Sequence, residues 1–221
     1  MISHLNMIKN PSFEQGLQGW GTFFLDGPPG STISSSSTRA VSGDYSARID
    51  VSTGAVFGSV DLYQYLPPNT SFANISRTSH GLSFWFYIEP KFTNFTLLLV
   101  KVKALSTIEM DYVFPNPSLG IGYPNTTDGG EAGKAVKFIV LPTPVLGQWN
   151  HLSTNVVQDW QAPLIITDST GTFTLPGFGL NDSLFFIQFE AAVYQNPITG
   201  MNYSETVWID DVALLRGNLR H

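Results

Sequence analysis

Between residues 47 and 215 apolar and polar residues alternate with a period of two, in short runs cut off by Gly, Pro or Asn, and helical periodicity is almost absent. A strand points successive side chains to opposite faces, so each run can bury one face and solvate the other. The runs are Ala47 to Val51, Gly58 to Leu66, Gly81 to Glu89, Phe95 to Ala104, Lys134 to Leu141, Trp149 to Val157, Leu184 to Val193 and Thr206 to Leu215. About eight or nine strands without amphipathic helices between them exclude a parallel α/β fold. The expectation is all-β: a single antiparallel β-sandwich or jelly roll. The 20 Gly and 14 Pro supply its turns. Residues 1–221 read as one domain, with 1–7 and 217–221 loose. Three stretches read as long loops: Gly27 to Thr38 (with the low-complexity patch Ser34 to Ser37), Phe114 to Gly133, and Pro163 to Gly179.

Composition removes several function classes. The net charge is −6 and no Lys/Arg cluster exists, so a phosphate-binding surface for nucleic acid is excluded. An anionic membrane surface is disfavoured on the same ground. No apolar run approaches the ~20 residues that cross a bilayer as a helix, so no membrane insertion is expected. With no cysteine there are no disulfides and no thiolate metal sites. Asn69, Asn74, Asn94, Asn125, Asn181 and Asn202 are Asn-x-Ser/Thr acceptors, which with the composition points to a secreted or cell-surface glycoprotein. The N-terminus shows no positively charged segment followed by an apolar run, so a signal peptide is expected to be missing or already removed.

The two ends carry the most specific patterns. Asn10-Pro11-Ser12-Phe13-Glu14 and Gly16-Leu17-Gln18-Gly19-Trp20 stand near the start, Ser42-Gly43-Asp44-Tyr45-Ser46-Ala47-Arg48 follows, and Val207-Trp208-Ile209-Asp210-Asp211-Val212-Ala213-Leu214 stands near the end. With Gly81-Leu82-Ser83-Phe84-Trp85-Phe86 and Gln148-Trp149, these resemble the carbohydrate-binding modules of families 4, 9 and 22, of the galactose-binding-like type. The resemblance runs from about Asn10 to Leu215 and is carried by the order of individually weak motifs. It implies Trp20, Trp149 and Trp208 as buried structural residues, and polysaccharide of the β-glucan or xylan class as ligand. It also implies a structural Ca²⁺ held by an acidic side chain of the last strand and backbone oxygens. Joining the first and last strands in one sheet would bring Glu14 near Asp210 and Asp211. With the carbonyls around Gly43 and Asp44 they would form an oxygen cage for a hard cation, Asp210 favoured over Asp211. The alternative is that the two aspartates cap a turn or pair with Arg216.

A sugar offers C–H faces to rings and hydroxyl edges to amides and carboxylates. Asp61, Tyr63 and Tyr65 share one strand face and Trp85 and Tyr87 another, each opposite an apolar row. Gln188 and Glu190 lie opposite Ile187 and Phe189, and Lys101 and Lys103 are placed to line the same side. Solvated strand faces normally carry Thr, Lys, Glu or Ser, so four outward rings stand out. Trp160 and Tyr123 lie in or beside loops as weaker candidates; burial in a second core is the competing expectation for all these rings.

Enzyme signatures are sparse. The four histidines lack His-x-x-x-His spacing, and no Gly-x-Ser-x-Gly or phosphate loop occurs. Glycoside hydrolysis needs two carboxylates in one cleft, for which Glu190 with Asp61 or Glu89 are the available residues. The expected function is a non-catalytic module that binds polysaccharide or oligosaccharide, carried beside a glycoside hydrolase domain in the same parent protein. The alternative is a glycosylated structural or adhesive domain of a cell surface, appendage or virion.

Overall fold

A computed structural model describes residues 5–25, 30–52, 57–90, 96–104, 108–115, 135–168, 171–194, 200 and 204–217. It contains two sheets face to face. The six-stranded sheet runs in the order β1 (Gly21–Leu25), β4 (Phe57–Tyr65), β12 (Leu184–Tyr194), β6 (Thr96–Ala104), β7 (Ile108–Pro115), β8 (Ala135–Val140). The five-stranded sheet runs β2 (Thr32–Ser36), β3 (Ser46–Ser52), β13 (Ser204–Leu214), β5 (Leu82–Ile88), β9 (Trp149–Thr154). Consecutive strands repeatedly change sheet, as in a jelly roll, and all pairings are antiparallel except β7 with β8. The chain is an all-β sandwich, as the alternation requires.

The inward rows make one core. Leu62, Val100, Val102, Ile187 and Phe189 from the first sheet meet Ile49, Phe84, Phe86, Val207 and Ile209 from the second. Phe84 packs edge-on against Phe189 across the interface, with ring centroids 5.1 Å apart. Gln64, in an inward row, is buried and answers its amide locally: Lys9 N donates to its Oε1 at 2.7 Å, and its Nε2 donates to Lys9 O at 3.0 Å.

Three expected loops are partly regular. Thr32–Ser36 is the edge strand β2, because its serines hydrogen-bond as a ladder beside β3. The Pro163 to Gly179 stretch holds a hairpin of β10 (Leu164–Asp168) and β11 (Gly171–Leu175). Ile108–Pro115 is a strand that the sequence reading passed over, although Met110, Tyr112 and Phe114 alternate; most of Phe114 to Gly133 lies outside the described residues. Nor are residues 5–7 loose. Met7 N donates to Leu214 O at 2.9 Å, Arg216 N donates to Leu5 O at 2.9 Å, and Asn6 bridges to Leu215.

Helix α1 (Val156–Gln161) plugs one end of the sandwich. Asn155 caps it, Trp160 is fully buried and stacked on Phe72 at 4.0 Å, and the Trp160 indole donates to Gly179 O at 2.9 Å. Trp160 is therefore core, not a loop-borne site residue, and Tyr123 lies outside the described residues.

Candidate functional site

The outward face of the six-stranded sheet gathers the residues singled out on β4, β12 and β6. Glu190 lies opposite Asp61, Gln188 opposite Tyr63 and Phe186 opposite Tyr65. On the other side of β12, Lys101 lies opposite Gln188 and Lys103 opposite Phe186. The neighbouring β7 continues the rows with Asp111 opposite Lys101 and Glu109 opposite Lys103, and β1 adds Phe23 opposite Asp61. The result is an open trough of about 580 Å³ lined by Phe23, Ser59, Asp61, Tyr63, Tyr65, Lys101, Lys103, Phe186, Gln188 and Glu190.

One end of the trough is a corner of rings. Tyr63 and Tyr65 meet edge-on at 5.3 Å, Tyr65 lies 4.9 Å from Phe185, and Phe186 lies 6.0 Å from both tyrosines. A register irregularity between Leu184 and Phe186 breaks the alternation of β12 and brings two consecutive phenylalanines to this rim. Tyr65 is 57% exposed and Phe23 52%, so the rings present uncovered apolar area. Tyr63 lies across Gly21, where an added Cβ would fall 2.5 Å from the Tyr63 Cζ; the missing side chain lets the ring cover β1.

The floor is charged and largely buried. Lys101 Nζ lies 2.7 Å from Glu190 Oε2 and 3.4 Å from Glu109 Oε1, and Lys103 Nζ lies 3.0 Å from Glu109 Oε2. Lys101 is desolvated, yet the three surrounding carboxylates Glu190, Asp111 and Glu109 push its pKa up. Asp61 has no such partner. Burial, then the Glu190 charge, push its carboxyl up to about 7, and its Oδ1 has no hydrogen-bond partner. Asp111 is pushed up to about 9 by burial and by Glu109. Glu109 is held low because Lys101 and Lys103 outweigh its desolvation. A buried acceptor without a donor costs about 1–3 kcal/mol.

Trp85 and Tyr87 do not reach this trough. Both project from β5 in the five-stranded sheet, so the core separates them from Tyr63 and Tyr65. There Tyr87 lies beside Trp208 (5.4 Å) and Trp149 (5.8 Å), with the Arg39 guanidinium 4.1 Å above the Tyr87 ring and 5.0 Å from Trp208. The Arg39–Trp208 distance makes one cation serve two rings. Tyr87 and Trp208 are buried in consequence, and Trp85 is half-buried with His151 stacked on it at 4.5 Å. Trp20 is buried as expected, whereas Trp149 is only half-buried.

The first and last strands lie in different sheets, not in one as expected, but the ends of the chain do meet, with Val212 N donating to Pro11 O at 3.0 Å. The expected cation cage does not form from the residues that meet there. Glu14 Oε1 accepts the amides of Asp44 (3.0 Å) and Tyr45 (2.9 Å). Asp210 Oδ2 accepts those of Val41 (2.7 Å) and Ser42 (3.2 Å), and its Oδ1 accepts that of Asp211 (2.8 Å). Ser42 Oγ donates to Asp211 Oδ1 at 2.6 Å. Gly43, at φ +61, leaves the space that Glu14 fills, since a Cβ there would lie 2.4 Å from Glu14 Oε1. These N–H donors suit a carboxylate and oppose a cation, so this arrangement does not fit Ca²⁺. Among the described residues no group of three or more acidic or histidine side chains is placed to hold a metal.

Of the glycosylation acceptors, Asn69 and Asn181 are exposed, and Asn74 is half-buried with its amide donating to Asn69 O at 3.4 Å. Asn94, Asn125 and Asn202 lie outside the described residues. Sequence reasoning passed over Phe23, Phe185, Phe186, Glu109 and Asp111. Phe186 stands two residues before Gln188 and shares its face, so alternation already contained that signal.

No family model matches the chain, and no curated protein matches it. Among solved structures, one described as a carbohydrate-binding module of the β-sandwich superfamily shares 13% identity over 91% of this chain at a TM-score of 0.46; the match spans 59% of that chain. The C-terminal family 22 carbohydrate-binding module of Clostridium thermocellum Xyn10B shares 13%, covering 94% of this chain and 90% of its own, at 0.43. The endo-1,4-β-glucanase CelB2 shares 14%, covering 88% and 93%, at 0.49. At such identities and TM-scores the likeness says nothing about what this chain binds.

Proposed function

We propose that the chain holds an extended polysaccharide in the trough of the six-stranded sheet, as a module of an extracellular protein. The observation that carries this is the meeting of uncovered rings and hydrogen-bonding groups in one open trough. Phe23, Tyr63, Tyr65 and Phe186 offer faces to sugar C–H groups. Gln188, Glu190, Asp61 and Lys101 offer donors and acceptors to the hydroxyl edges. The terminal motifs favour a β-glucan or xylan. Tethered beside a catalytic domain, such a module raises that domain's effective concentration on the polymer. No described helix is long and apolar enough to cross a membrane.

Affinity electrophoresis through gels containing mixed-linkage β-glucan, xylan or xyloglucan tests this. Wild-type protein is retarded by at least one polymer, and Tyr65→Ala, which removes an exposed ring without touching the core, migrates freely. A wild type that no polymer retards, but that self-associates in sedimentation, would make the chain a surface building block instead.

A further inference from the structure

Two carboxyl groups stand side by side on the trough floor. Asp61 of β4 and Glu190 of β12 are directly opposed in an antiparallel pair and point to the same outward face. The β-carbons of such a pair are about 4.5–5.5 Å apart. Cleavage of a glycosidic bond with retained configuration uses two neighbouring carboxyl groups on one face, one as acid and one as nucleophile.

Their surroundings differ in the sense that chemistry needs. Glu190 is the anionic partner of Lys101, 2.7 Å away, which fixes it in place. Asp61 has no lysine of its own, accepts from the Gln188 side chain, and keeps Oδ1 unpartnered although the residue is only 8% exposed. Burial and the neighbouring Glu190 charge keep a proton on it up to a pH of about 7. A buried carboxyl that keeps its proton, beside one held in an ion pair with a lysine, supplies an acid and a nucleophile. Glu109 and Asp111 make a second acidic pair on β7, but they do not line the trough and share Lys101 and Lys103 with it. Phe23 flanks the Asp61 row, while Tyr63 and Tyr65 continue along the same face. A chain stacked on the two tyrosines therefore extends over the carboxyl pair.

We propose that the trough is also a hydrolytic centre, in which Asp61 is the general acid and Glu190 the nucleophile for cleavage of a glycosidic bond with net retention. This rests on the reading of the trough as a sugar site. In the first step Glu190 attacks the anomeric carbon and the bond from that carbon to the leaving oxygen breaks. The Asp61 proton moves to the departing alcohol, leaving a glycosyl ester on Glu190 and a carboxylate on Asp61. In the second step water attacks the same carbon and gives one proton to Asp61. The ester bond breaks, and the sugar hemiacetal, the Glu190 carboxylate and the protonated Asp61 are left.

The test is prolonged incubation of the purified chain with p-nitrophenyl β-cellobioside, p-nitrophenyl β-xylobioside and the polymers that retard it, with nitrophenol and new reducing ends as readouts. Turnover is expected to fall roughly 100- to 10,000-fold in both Asp61→Asn and Glu190→Gln. In the wild type it should decline as pH rises through about 7, as the Asp61 proton is lost amid Glu190, Lys101, Lys103, Glu109, Asp111 and Tyr63. Incubation with 2,4-dinitrophenyl 2-deoxy-2-fluoro-β-cellobioside should leave one fluoroglycosyl mass on the peptide containing Glu190. This labelling reports on folded wild type and does not depend on how the variants fold. Retardation by a polymer with neither turnover nor labelling overturns the hydrolytic proposal and leaves the binding function standing. Turnover that survives both substitutions belongs to a contaminant and overturns it equally. Absence of both retardation and turnover removes the binding function as well.

Discussion

The outward faces of the two sheets carry similar side chains and arrive at opposite states. On the five-stranded sheet Tyr87, Trp208 and Trp149 form a row of rings, but Arg39 lies over two of them and Arg48 stands 5.4 Å from Trp208. Its acid, Asp50, is paired with Arg48 at 2.8 Å. On the six-stranded sheet Tyr65 and Phe23 stay uncovered, and Asp61 forms no ion pair among the described residues although Lys101 and Lys103 lower its pKa in part. Outward aromatic residues alone therefore do not mark a binding face. What separates the two is where the cations sit: Arg39 covers Tyr87 and Trp208, whereas Lys101 and Lys103 pair with Glu190 and Glu109 and leave Tyr65 and Phe23 open.

The largest expected contrast is electrostatic. The folded protein keeps a proton on Asp61 up to about pH 7, whereas the unfolded chain releases it near 3.8. Between those values the native state binds more protons, so stability falls as pH rises from about 4 to about 7. Asp61→Asn should remove that fall, on the order of a few kcal/mol, and leave the part that Asp111 extends to about pH 9. Urea unfolding at pH 5, 7 and 9 checks it; an identical pH slope in the variant would mean that Asp61 is solvated.

Next is the contrast in binding. Tyr63→Ala should weaken polymer retention about 30-fold, the effect of losing a buried anchor of about 2 kcal/mol. Trp85→Ala should leave retention unchanged. The reverse result would move the site to the five-stranded sheet. Arg39→Ala should cost about 1–2 kcal/mol of stability by uncovering Tyr87 and Trp208, with no loss of retention. Thermal unfolding beside affinity electrophoresis reads both. Smallest is the response to a chelator: because Glu14 and Asp210 are occupied by backbone amides, EDTA should leave the melting temperature where it was. A rise on adding Ca²⁺ would show that these carboxylates turn from the amides to an ion.

Much of the trough was legible because a strand writes its two faces into alternate residues. Asp61 with Tyr63 and Tyr65, and Gln188 with Glu190, could be grouped by that rule alone. Which strands lie together could not be read so locally. Trp85 obeys the same alternation as Tyr63, and only the pairing of β5 with β13 and β9 sends it to the far side of the core. The backbone at Gly43 and Asp44 was out of reach for a similar reason. The resemblance placed the loop beside Glu14 and Asp210 without fixing which backbone atoms faced them, and the amides do.

The irregularity in β12 sets limits on how this surface can vary. Substitutions at Tyr65 or Phe186 change ring contacts at the rim and leave the strand register in position. Deleting a single residue between Ser183 and Ile187 would instead slide the strand by one step. Gln188 and Glu190 would turn into the interior, and Ile187 and Phe189 would face water. Relatives that diverge at this rim should therefore exchange side chains freely while conserving strand length.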